Sequence, residues 1–143
     1  MPVCLIEGPV LNKESKAELI TNVLDSMIAA YQMPDDRVYI NEYEKQNYGH
    51  NSVDRPGHDS ESRQDVQRIV VSIIAPPGLP KDAKRSLFRE ITETAAKIYG
   101  NTDMRDILVF LNEHPLDNVA SNGYIQTENP EFAWPATKID SSI

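Results

Sequence analysis

The chain has one cysteine, three histidines and no apolar run near the ~20 residues of a membrane span. Each scarcity excludes something. One cysteine, Cys4, cannot support an intrachain disulfide framework. Lying in the apolar run Val3-Cys4-Leu5-Ile6, it reads as a buried, inert thiol. His50, His58 and His114 are scattered, and no His-Cys-carboxylate spacing suggests a metal site, so no metal is expected. Basic residues are outnumbered 14 to 22, giving a formal net charge of −8. That balance argues against a nucleic-acid surface or a polybasic membrane contact, while still allowing a local cationic pocket for a small anion. Glu7-Gly8-Pro9 interrupts the first apolar run too early for a signal peptide, and a cytoplasmic location is expected.

What remains is ordinary for a soluble domain: 143 residues, 40% hydrophobic and 25% charged. Residues 3–7 read as a buried strand. Asn12 is a helix N-cap candidate, and Ile20, Val23, Leu24, Met27, Ile28 and Tyr31 follow at helical spacing. Met33-Pro34-Asp35-Asp36 turns the chain into an alternating strand, Arg37 to Tyr43. A polar connection covers roughly 44–66. The pattern then restarts with the β-branched run Ile69 to Ala75, broken by Pro76-Pro77-Gly78. Pro80 suits a helix start, Leu87, Phe88, Ile91, Ala95, Ile98 and Tyr99 form an apolar face, and Gly100 suits the C-terminal cap. Ile107 to Asn112 is a fourth strand. The tail from about 116 lacks helical period and is expected to pack on a neighbour or cover a site, with Asn122-Gly123 as a tight turn and Phe132 and Trp134 as packing anchors.

The halves repeat. A shift of 68 places Val3 on Val71, Leu11 on Leu79, Lys16 on Lys84, Leu19 on Leu87 and Tyr31 on Tyr99; a shift of 71 places Ile40-Asn41-Glu42 on Leu111-Asn112-Glu113. This is β-α-β written twice, with parallel, right-handed crossovers. The expected fold is α+β: tandem β-α-β units (about 2–43 and 67–113, joined by the connection at 44–66 and followed by the tail 114–143) forming one four-stranded sheet with two helices on one face. The other face would carry apolar strand residues in the open, so oligomerisation is expected.

Pro2 carries the chemistry. Removal of Met1, which a small second residue permits, would leave a secondary amine at the start of a buried strand. An α-amino group titrates near ~8 in water, and burial lowers that value. Such an amine could be neutral at pH 7 and move protons to and from carbon. The alternative is that Pro2 only starts a strand, where its missing N–H costs little.

With these residues the chain resembles the tautomerase superfamily, whose members carry an amino-terminal catalytic proline on a β-α-β unit. The segment Arg37-Val38-Tyr39-Ile40-Asn41-Glu42, Lys45 and Tyr48-Gly49 is similar to 4-oxalocrotonate tautomerase. The resemblance covers about residues 2 to 124. It implies that Arg37 binds a substrate carboxylate and that Tyr48 makes an apolar wall; read without it, Arg37 is equally a partner for Asp35 or Asp36, and Tyr48 a packing aromatic in a turn. The family's second arginine, before the first helix, is replaced here by Leu11-Asn12.

The overall length and Leu108-Val109-Phe110-Leu111-Asn112-Glu113-His114-Pro115 are similar to the fused cis-3-chloroacrylic acid dehalogenase group, whose longer chains form trimers. That group's paired arginines have no counterpart in Ala75-Pro76-Pro77-Gly78-Leu79. Its histidine falls at Met27, and its tyrosine and glutamate at Phe110 and Ser121. The resemblance therefore implies a cofactor-independent isomerase: a homotrimeric tautomerase acting on a small 2-oxo or enol carboxylic acid, with Pro2 as general base and Arg37 and Tyr48 at the substrate. The alternatives are a hydratase, dehalogenase or decarboxylase of the same superfamily, or a non-catalytic binding protein that kept the scaffold. Arg68 and Arg105 flank later strands and read as solvated strand-end charges, the alternative being that they line a site across a subunit boundary.

Overall fold

A computed structural model describes residues 1–33, 35–44, 68–101 and 103–131. Four strands form one mixed sheet: β1 (Val3–Pro9), β2 (Arg37–Tyr43), β3 (Ile69–Ala75) and β4 (Ile107–Glu113), in the order β2-β1-β3-β4. Each β-α-β unit supplies a parallel pair, β1 with β2 and β3 with β4; the units join where β1 meets β3 antiparallel. Helices α1 (Lys13–Tyr31) and α2 (Lys81–Tyr99) pack on each other over one face, as the repeat requires.

The helix boundaries have local causes. Asn12 Oδ1 accepts from the Ser15 amide at 2.7 Å, which caps α1. α2 starts directly after Pro80, and Gly100 closes it in the left-handed conformation at φ +79°. The buried stripe of α1 is Leu19-Val23-Met27-Tyr31, a strict four-residue repeat. Ile28, expected on that face, is 49% exposed, because a helix on one sheet face buries a narrower arc than the apolar residues span. On α2 the buried set is Leu87, Ile91, Ala95, Ala96 and Tyr99. These meet Cys4, Ile6, Val71 and Ile73 from the sheet, all fully buried. Burial pushes the Cys4 thiol up to about 12, so it is inert as a nucleophile.

The strands alternate. In β3, Ile69, Val71, Ile73 and Ala75 face the helices, while Val70, Ser72 and Ile74 are only partly covered. On the same uncovered side Tyr39, Leu108 and Phe110 are about half exposed, at 48%, 52% and 52%. The tail returns over one end of this side. It forms a small hairpin of β5 (Ala120–Ser121) and β6 (Tyr124–Ile125), turned by Asn122 and Gly123, both at positive φ. Phe132 and Trp134 lie outside the described residues.

Among the strand-end charges, Arg105 is exposed and grips Asp103 at 2.6 and 2.9 Å. Arg68 is instead largely buried in an ion pair with Asp106, which ties the start of β3 to the start of β4. Among the described residues no helix is long and apolar enough to cross a membrane, and no cluster of His, Cys, Asp and Glu could hold a metal ion.

Candidate active site

The site lies where β1 and β2 begin and β3 ends. In a mixed sheet of this order those three termini fall at one edge, on the face that the helices leave open. One row of paired residues crosses there: Arg37 opposite Val3, Val3 opposite Ile74, Ile74 opposite Asn112. Above this row is a cavity of about 280 Å³, walled by Met1, Arg37, Tyr39, Pro76, His114 and, from the returning tail, Leu116, Val119 and Ala120. The tail thus covers part of the site, as its composition suggested.

Pro2 is fully buried directly behind Met1, and its carbonyl accepts the Arg37 amide at 3.1 Å. That bond extends the β1–β2 ladder by one residue and fixes the chain start beside the arginine. With Met1 attached, the nitrogen of Pro2 is an amide. The basic nitrogen at this end belongs to Met1, which contacts Met33 Sδ at 3.9 Å. Burial lowers the pKa of that amine, and Asp36 and then Asp35 oppose the shift. Pro2 itself is not among the residues that wall the cavity.

Arg37 reaches the cavity wall but is also paired. Its Nε and Nη2 donate to the two Asp35 oxygens at 3.2 and 3.0 Å, a bidentate contact on the surface. Asp35 achieves this from a left-handed backbone at φ +64°. Hydrogen bonds to Asp35 and Tyr39 hold the guanidinium in its charged form. The ion-pair reading of Arg37 is the one seen, and the residue lines the cavity. Tyr48 lies outside the described residues.

Asp36 escaped the sequence reading. Both its carboxylate oxygens are buried without a hydrogen-bond partner among the described residues. Burial raises its pKa to about 6; the terminal amine pulls the other way and Asp35 adds to the rise. The Tyr31 hydroxyl, also buried and unpartnered, is pushed up by burial, then by Glu113 and Asp36. No local pattern marked it: only the parallel register of Val3 with Arg37 puts Asp36 one step back, level with Pro2. His114 was missed because it is isolated in sequence. Its amide donates to the Ala75 carbonyl at 2.9 Å, which carries β4 onto the cavity rim.

Below this edge, Glu113 accepts from the Gly78 amide at 3.2 Å and from Lys84 Nζ at 3.0 Å, fastening the β3–α2 turn to β4. Lys16 and Glu42 form the equivalent ion pair in the first unit, so the repeat extends to its tethers.

Residues 70–127 match the family model described as Tautomerase enzyme. No curated protein matches the chain in sequence. Among solved structures, native fused 4-OT is similar with a TM-score of 0.70 at 20% identity, covering 86% of this chain and 94% of that one. The W0 fused 4-OT wild-type symmetric trimer gives a TM-score of 0.73 at 12% identity, covering 89% and 99%. The FG41 malonate semialdehyde decarboxylase inhibited by 3-bromopropiolate gives 0.68 at 16%, covering 93% and 99%. The chain has the tautomerase-superfamily fold in its fused, two-unit form.

Proposed function

We propose that the protein is a cofactor-independent tautomerase that interconverts enol and keto forms of a small 2-oxo carboxylic acid. The observation that carries this reading is the burial of Pro2 next to Met1, which walls a cavity together with Arg37. Loss of Met1 would open the wall and place a secondary amine in an apolar setting, where its neutral form is favoured. That amine would take the proton from the enol oxygen and deliver it to carbon as the C=C bond becomes C=O, or run the same transfer in reverse. Arg37 would exchange Asp35 for the substrate carboxylate, and Tyr48 would supply an apolar wall. The fold and the match over residues 70–127 support the class of reaction.

The uncovered sheet face supports assembly. Tyr39, Leu108 and Phe110 stand about half exposed on the outer strands, and the inner strands present Val3, Leu5 and Ile74 on the same face. Burying this face against two further copies of the chain, as a trimer, would remove the exposed apolar surface. The fused 4-OT structures described as trimers support this arrangement.

Asp36 favours a second reading. A buried carboxylate near the terminal amine stabilises the charged amine. A protonated Pro2 would act as an acid, as a hydratase or decarboxylase of this fold would require. The pH–rate profile separates the two: activity rising with pH through the amine pKa marks a base, and activity falling marks an acid.

The test is ultraviolet detection of phenylenolpyruvate ketonisation by protein whose mass shows that it begins at Pro2. The expected result is turnover that drops by about 10²–10⁴ in Pro2→Ala, and that is lost where Met1 is retained. Undiminished turnover in either form refutes the role of Pro2.

A further inference from the structure

The two ends of the cavity differ. Arg37, Val3 and Ile74, neighbours in one row of paired residues, lie along its floor. At the β2 end stands Arg37 with Met1 and Tyr39, the Arg37 backbone amide bonded to the Pro2 carbonyl. At the β4 end the wall is Ala75, Pro76, Leu116, Val119 and Ala120, with His114 exposed at the rim. The outer strands are three spacings apart, about 14 Å. A carboxylate held at Arg37 therefore sends the rest of its molecule over Val3 and Ile74 toward Leu116 and Val119. A second carboxylate arriving there would lose its water against apolar side chains, with no lysine or arginine among the described residues at that end. An apolar tail would gain from the same burial.

The geometry points to a substrate of one class: a monocarboxylic 2-oxo or enol acid with an apolar tail, its carboxylate at Arg37 and its tail between Ile74 and the returning segment at Leu116 and Val119. Dicarboxylic acids, and short acids without a tail, fit less well. The reaction in this inference rests on the tautomerase reading; the binding preference does not.

The experiment keeps these apart. Calorimetry on the full chain beginning at Pro2 compares 3-phenylpropanoate, propanoate and adipate at one pH and ionic strength, alongside turnover of phenylenolpyruvate. The tail should make 3-phenylpropanoate bind at least about tenfold more tightly than either other acid. Ala120→Arg, at an exposed position on the cavity wall, places a cation at the tail end and should close or reverse the gap to adipate. Adipate binding as tightly as 3-phenylpropanoate in the unsubstituted chain overturns the inference and assigns His114 to a second carboxylate. Equal binding of all three acids, or binding of none, overturns it as well. The expected order of binding without phenylenolpyruvate turnover supports the substrate shape and refutes the tautomerase reaction.

Discussion

Replacing Asp36 with asparagine removes a buried charge and keeps the side-chain shape. Both Asp36 oxygens lack a hydrogen-bond partner among the described residues, and burial brings the carboxyl from 3.8 up to about 6. In the unfolded chain it returns to near ~3.9. The folded chain therefore holds this proton more tightly than the unfolded chain does. Below about pH 4 both states are protonated and the charge costs nothing. As pH rises through about 6 the folded state must ionise a half-buried carboxyl, and stability is lost. The full shift corresponds to about 3 kcal/mol at neutral pH and above. Water reaching this half-buried residue screens the charge, which leaves ~1–1.5 kcal/mol. Asp36→Asn should thus be more stable than the parent by that amount at about pH 8, with the gain fading toward pH 4. Urea unfolding at several pH values measures it, provided the m-values agree. A variant no more stable at pH 8, or a gain independent of pH, would refute the assignment of the shift to burial. The same substitution removes the carboxylate that most raises the Met1 amine pKa, so in the chain that retains Met1 this amine should titrate at lower pH, as NMR would read.

Three further outcomes follow from the geometry. Asp35→Asn keeps a residue that tolerates the left-handed backbone but frees the Arg37 guanidinium, so KM for a carboxylate substrate should fall with kcat little changed; a rise in KM would show that Asp35 aligns the arginine rather than competing for it. Gly8→Ala puts a methyl 2.7–3.0 Å from the buried Tyr99 ring and hydroxyl, and thermal unfolding should show a loss of about 1–3 kcal/mol. Asn12→Ala removes the α1 cap and should cost about 1 kcal/mol in the same measurement, without affecting carboxylate binding.

The repeat made the fold legible. Two apolar β-α-β patterns at a shift of 68 leave few ways to build a sheet, and the observed order places both helices on one side as expected. Caps were legible for the same reason: Asn12 and Gly100 act through bonds to residues three or four positions away. The width of a buried face was not, because Ile28 and Leu24 look alike until the sheet's extent is known. At the site, Pro2 and Arg37 were visible as residue types, and Arg37 was correctly read as a possible partner of Asp35. Asp36 and His114 were invisible as site residues, since neither has a local pattern that marks burial or convergence.

By itself, then, the sequence determined the periodicities: the spacing of apolar residues in each element, where each helix stops, and that the unit occurs twice. Those properties depend on neighbours within a few positions. Only the tertiary structure decided that β1 runs antiparallel to β3. That pairing lays Val3 beside Ile74, brings the start of one unit to the end of the other's first strand, and folds the tail over both. The cavity, the unpartnered carboxylate of Asp36 and the apolar end opposite Arg37 exist because segments more than thirty positions apart share one edge of a sheet.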